Sequence, residues 1–153
     1  MKKFELTSEF VTFLGKKLFR IKALISFGNV EEGELGGYVE KEENLSNDGD
    51  AWVFGDARVF GDARVSGNAR VSGNAEVSGN ADYATVQGFG SEYRTTTFFR
   101  TKAGDIGVRC GCFYGTLEEF RAKVKETHRE TKTAKEYLMV ADLMEFRFSK
   151  EEV

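Results

Sequence analysis

Arg94, Thr95, Thr96, Thr97, Arg100 and Arg109 are the residues of this chain best suited to recognition chemistry. Hydroxyls and guanidinium groups on a strand, near a helix N-terminus, suit an anionic group such as a phosphate. Phe98 and Tyr114 add aromatic faces on which a base could stack. Alternation along a strand sends Thr95, Thr97 and Phe99 to one face, and Arg94, Thr96, Phe98 and Arg100 to the other. A plainer reading is equally physical. Threonine has high strand propensity, and arginines on a wet sheet face pair with Glu118, Glu119 or Glu126. The candidate binding set is Arg94, Thr96, Phe98, Arg100, Arg109 and Tyr114.

Cys110, Cys112 and His128 are the other residues of interest. Two cysteines one residue apart on a strand point to opposite faces and do not bond each other. A structural metal site needs four ligands, usually from C-x₂₋₄-C spacing, and only three soft candidates exist here. No metal or cofactor is therefore expected; one thiol packs inward as a small hydrophobe and the other lines a surface. A Cys/His nucleophilic pair is the alternative, because Gly115-Thr116 opens a helix whose positive end favours a nearby thiolate. Nothing in the spacing brings His128 to either thiol. Gly88-Phe89-Gly90 lacks the spacing of a phosphate loop and reads as a hinge. No catalytic residue is assigned.

The elements that hold these residues occupy 88–153. Tyr93–Thr101 and Ile106–Cys112 are predicted strands joined by a turn at Lys102-Ala103-Gly104-Asp105. Thr116-Leu117-Glu118-Glu119 is a capping box that starts a helix with Leu117, Phe120 and Val124 on one face. A second helix over Lys132–Phe146 carries an apolar stripe of Ala134, Tyr137, Leu138, Ala141 and Met144. A hairpin with two helices makes a small α+β unit. The run GSEYRTTTFFRTK…VRCGCFYGTLEEF…VKETH…AKEYLMVADL resembles a small domain of unknown function in phage and gut-bacterial proteins. That resemblance implies no particular activity.

Upstream, AWVFGD from Ala51 recurs as ARVFGD, ARVSGN, ARVSGN and AEVSGN. Each copy reads Val, any residue, Gly, Asp or Asn, Ala, any residue. Valine suits a pleated strand, and Gly with Asn or Asp accepts the positive φ of a corner. The pattern resembles the hexapeptide repeat of left-handed parallel β-helices, in which three hexads make an 18-residue coil. The resemblance implies a short left-handed parallel β-helix over 45–87, in a mainly β protein with an N-terminal β cap and the α+β unit. An 18-residue coil sets Val53 under Val71, Val59 under Val77 and Val65 under Tyr83. Outside, it sets Arg58 against Glu76, Arg64 against Asp82 and Trp52 against Arg70 as a cation–π pair. Exposed pairs of this kind contribute only ~0.2–1 kcal/mol each.

Residues 1–44 are expected to cap the lower end of the helix, with one or two strands in Lys17–Phe27 and turns at Gly33, Gly36 and Gly37. Through GELGGYVEKEENLSNDGDAWVFGDARV this part resembles hexapeptide-repeat proteins described as acyltransferases or polymer-forming proteins. Seven hexads make little more than two coils, so side-by-side packing into a homotrimer is expected. Trp52, Phe54, Phe60, Val53, Val59, Val65, Val71 and Val77 form the stack and oligomer set.

The chain has 153 residues with a net charge of −3, which argues against general nucleic-acid binding. It holds no apolar run of membrane-spanning length, and MKKFELTSEF has no signal-peptide core. A cytoplasmic protein is expected, in the host cytoplasm if a phage encodes it. Two functions stay open. One is a non-catalytic oligomeric binding or scaffold protein for a protein partner or a small anionic or nucleotide ligand, such as a phage inhibitor sequestering a host defence component. The other is a hexapeptide-type acyltransferase acting at subunit grooves. Those enzymes use a histidine as base, and residues 1–127 contain none, so the binder is the preferred reading.

Overall fold

The corners are where the repeat is obeyed most closely. Gly49, Gly55, Gly61, Gly67 and Gly73 all sit at φ between 63° and 71°, a backbone that a Cβ would strain. Gly79, next in the series, is extended at φ −158°, and there the chain leaves the repeat. The computed structural model describes residues 2–90, 94–111 and 113–149.

The chain begins with a hairpin of β1 (Phe4–Phe13) and β2 (Lys16–Ala23), turning at Leu14 and Gly15, both at positive φ. β3 (Leu35–Val39) runs antiparallel to β2. The repeat contributes four two-residue strands: β4 (Trp52–Val53), β5 (Arg58–Val59), β6 (Arg70–Val71) and β7 (Glu76–Val77). They are divided between a mixed five-stranded sheet of order β1-β2-β3-β5-β7 and a parallel β4-β6 pair. A fully antiparallel sheet follows, order β11-β10-β9-β8, from β8 (Tyr83–Phe89), β9 (Arg94–Arg100), β10 (Ile106–Cys110) and β11 (Phe113–Thr116). α1 (Leu117–His128) and α2 (Lys132–Arg147) lie over it. No helix among the described residues is long and apolar enough to cross a membrane.

The expected left-handed parallel β-helix is not formed. Several expected register pairs exist: Val53 lies opposite Val71, Val59 opposite Val77, Arg58 opposite Glu76 and Trp52 opposite Arg70. Each of those ladders is only two residues long, and they sit among longer antiparallel pairings, so no solenoid results. Val65 bridges Leu45, while Tyr83 opens β8 and pairs with Phe99. Asp82 binds Arg100 at 3.1 Å and not Arg64. Trp52 packs edge-on against Phe27 with ring centroids 5.4 Å apart, and Arg58 lies over the Phe13 ring at 4.8 Å. The physical reason is that β3 pairs with β5 at the edge of the repeat and then continues into the antiparallel β2 and β1, where further parallel coils would have to stack.

The N-terminal part, expected as a β cap, is continuous with the core of the repeat. Phe4, Ile21, Ala23, Val30 and Val39 share one core with Val53, Val59, Val65, Val71 and Val77. Asn44 locks the junction. Its amide donates to the Gly61 and Ala63 carbonyls at 3.2 and 2.8 Å, and its Oδ1 accepts from the Glu40 and Lys41 N–H groups at 3.1 and 2.9 Å. The boundary expected at 87/88 falls inside β8.

The stack and oligomer set is covered by the chain itself. Trp52 and the five valines are buried in the repeat core. Phe60 is buried with Leu18 and Tyr38, and Phe54 is half-buried against the core. The two helices form as their caps and apolar spacing require. Thr116 and Glu119 make the reciprocal capping box, and Thr131 caps α2 by accepting from the Ala134 N–H. Leu117, Phe120, Val124, Ala134, Tyr137, Ala141 and Met144 are buried with Phe98 and Val108 in a second core.

β9 therefore divides two cores. Phe99 points into the repeat, and its neighbour Phe98 points under the helices. Burying either ring stabilises the fold by roughly 1.5–3 kcal/mol, so the sheet is fixed from both sides. What remains at its open end is the site.

Candidate anion-binding site

The free end of the antiparallel sheet carries arginines because the strand pleat and one bulge send them there. Arg109 lies opposite Thr97 and Tyr114 in register, so it faces the repeat with Thr95 and Thr97. Its guanidinium stands over the Phe54 ring, 4.7 Å from the centroid, and its buried Nε has no hydrogen-bond partner. Arg70 comes from β6 of the repeat, and its backbone N–H donates to Thr97 Oγ1 at 3.0 Å, which ties β6 to β9. The two guanidinium groups repel. Burial and the Arg109 charge pull the Arg70 pKa below its ordinary value, against Asp50 and Glu34, which act the other way. Neither arginine belongs to an ion pair among the described residues.

Arg94 completes the group. It pairs with Phe89 in register, on the helix side of the sheet, yet it lines the groove on the other side as well. Gly111 makes this possible: a Cβ there would overlap the Arg94 guanidinium, so only glycine leaves the crossing open. The groove between the repeat and the sheet holds about 620 Å³. Arg70, Arg94 and Arg109 line it with the amides of Asn29, Asn68 and Gln87, and Asp50 is its one carboxylate among the described residues.

A second cavity of about 300 Å³ opens on the helix side, and Arg94 belongs to it too. Phe89, Phe113, Phe120, Tyr137 and His128 supply its rings, and Lys123 and Thr127 its polar rim. His128 stacks on Tyr137 at 5.9 Å between ring centroids, 28° from parallel. Tyr137 is pushed up to about 12 by burial and by the neighbouring Cys110 thiol. Buried Thr96 donates from Oγ1 to Cys110 Sγ at 3.2 Å.

The candidate set read from the sequence is thus split. Arg94 and Arg109 reach the groove. Thr96 and Phe98 are fully buried on the helix side, Phe98 edge-on to Phe120 at 5.9 Å, so Phe98 offers no face to a base. Arg100 is held by Asp82 at 3.1 Å and lies over the Phe148 ring at 5.4 Å. Tyr114 is exposed, but it stacks on Phe99 at 6.4 Å and donates to Asn74 Oδ1 at 3.3 Å. The glutamates expected to neutralise these arginines do other work: Glu118 pairs with Arg121, and Glu119 closes its own helix cap.

Sequence reasoning missed Arg70, which it assigns to a stack over Trp52, and the amides of Asn29, Asn68 and Gln87. No local signal carries them, since they meet only when β6 docks on β9. It also leaves His128 away from Cys110, whereas α1 brings both to one cavity. Cys112 lies outside the described residues. No group of three or more His, Cys, Asp or Glu able to hold a metal occurs among the described residues. No protein family matches the chain, and no curated protein matches it.

Proposed function

We propose that the protein is a non-catalytic binder of a small phosphate-bearing anion, held in the groove of Arg70, Arg94 and Arg109. One observation carries this: Arg70 and Arg109 share a groove with no ion-pair partner for either among the described residues, at a cost in desolvation and repulsion that an anion would relieve. Asn29, Asn68 and Gln87 add neutral donors that hold oxygen without further charge. No histidine lines the groove, and Asp50, its carboxylate, lies beside Arg70. The arrangement favours holding over turnover, and such a binder acts by withdrawing its ligand from solution. The acyltransferase reading loses its footing with the β-helix on which it rests. Oligomerisation is no part of this proposal, since the residues expected to mediate it, half-buried Phe54 apart, are buried within one chain.

Titration of the protein with inorganic tripolyphosphate tests the reading. Binding is expected, with the probe recovered unchanged by phosphorus NMR and binding lost in Arg70→Met/Arg109→Met at unaltered circular dichroism. Wild-type protein that ignores the probe, or a double variant that binds it as well, would overturn the proposal.

A further inference from the structure

We propose that the groove and the aromatic cavity, which share Arg94, are two halves of one site whose ligand is a nucleotide, with its phosphates on the arginines and its base among the rings. This rests on the anion-binding reading and names the ligand within it.

Three neighbouring strand ends each feed both compartments. β8 gives Gln87 to the groove and Phe89 to the cavity; β9 gives Thr95 to the groove and Arg94 to both; β10 and the residue after it give Arg109 and Gly111 to the groove and Cys110 to the cavity. On a regular strand Gln87 and Phe89 would share a face. The register shift between them, at Gly88 with φ 96°, turns Phe89 to the opposite side. Arg94, crossing beside Gly111, is the side chain common to the two compartments. A ligand reaching from one to the other would have an anionic part and a flat apolar part.

The cavity matches the flat part. Five aromatic rings line about 300 Å³, at the small end of the roughly 300–1,000 Å³ usual for small-molecule sites. Aromatic walls suit the π-face of a base. Lys123, Thr127 and the His128 ring supply polar groups for base edges or ribose hydroxyls. An acyl chain would use neither the rings' faces nor this rim.

Calorimetric titration with ATP, GTP, CTP and UTP, each compared with inorganic tripolyphosphate, isolates the contribution of base and ribose. At least one nucleotide is expected to bind tenfold or more tightly than tripolyphosphate. Two exposed or half-buried positions on α1 probe the cavity: Thr127→Trp, which crowds its mouth, and His128→Ala, which removes a ring wall. Each is expected to bring the preferred nucleotide down towards tripolyphosphate affinity while leaving tripolyphosphate itself unchanged, with melting temperature as the check on folding. If tripolyphosphate binds and all four nucleotides bind no better, this inference falls and the anion reading stands. If a nucleotide binds tightly and both folded variants keep that affinity, the base lies elsewhere and the inference falls as well. If neither kind of probe binds, the anion reading itself fails.

Discussion

Arg109 stands on the ring of Phe54, 4.7 Å from its centroid, and this contact joins the antiparallel sheet to the repeat at the edge of the groove. The ring face stabilises a guanidinium that has no carboxylate partner among the described residues. Phe54→Leu keeps an apolar side chain and removes the π-face. It should cost about 0.5–2 kcal/mol of stability and weaken tripolyphosphate binding, as Arg109 loses its support. Denaturant unfolding and titration of the same preparation check this; a variant unchanged in both would refute the role given to Phe54.

Arg70 should oppose stability in the absence of ligand. Its burial and the facing Arg109 charge already lower its proton affinity, with Asp50 and Glu34 compensating only in part. Arg70→Met is therefore expected to melt at a higher temperature than wild type in ligand-free buffer. Adding tripolyphosphate should raise the melting temperature of wild type and leave that of the variant unmoved, because a ligand stabilises only the form that binds it. A variant that melts lower than wild type without ligand would contradict the account.

Asn44 satisfies four backbone groups at the junction of β3 with the repeat, and it is fully buried. Asn44→Leu removes the partner of the Lys41 N–H and of the Gly61 and Ala63 carbonyls, the last of these buried, while the Glu40 N–H keeps the Val59 carbonyl at 3.1 Å. With each orphaned group costing about 1–3 kcal/mol, the variant should be severely destabilised or unfolded. Asn44→Asp should be little better, since a carboxylate would face the Gly61 and Ala63 carbonyls that now accept from the amide. Chemical denaturation would measure both, and a loss below about 1 kcal/mol in Asn44→Leu would speak against this role.

Two buried groups should give opposite slopes in alkali. Lys3 is lowered to about 8 by burial, against Asp50 and Asp48, while its Nζ donates to the Ala51 carbonyl at 2.7 Å. Between about 8 and its ordinary 10.5 the unfolded chain binds the extra proton, so stability rises with pH through that window. Tyr137, raised from 10 to about 12, does the reverse: the folded state keeps the proton, and stability falls as pH rises from 10 to 12. Denaturant midpoints measured across pH 8–12 (the range spanned by the two groups) should show the rise missing from Lys3→Met and the fall missing from Tyr137→Phe.

Much of the local structure is legible in the chain. The spacing of Val53 and Val71, and of Val59 and Val77, sets them opposite each other, because Gly-Asp and Gly-Asn corners of fixed length leave the chain little choice. Thr116 with Glu119, and the apolar spacing of Leu117, Phe120 and Val124, specify α1 for equally local reasons. The β-helix does not follow from the same repeat. Whether parallel pairs extend into a solenoid depends on what stacks on each edge, and β1, β2 and β3 take the edge that another coil would need.

The site is the least legible part. Arg94 and Arg109 are visible as arginines on neighbouring strands, but alternation alone places them on opposite faces. Only the open position at Gly111 lets Arg94 cross to the groove.

Sequence by itself determines this protein's corners, its helix caps and which side chains turn inward, because each follows from interactions a few residues long. Tertiary structure decides the mixed sheets, the meeting of Arg70 with Arg109, and the sharing of one cavity by Cys110 and His128. Those depend on which surfaces dock, and docking is settled by two cores competing for the faces of one strand: Phe99 buried in the repeat, and Phe98 buried under the helices.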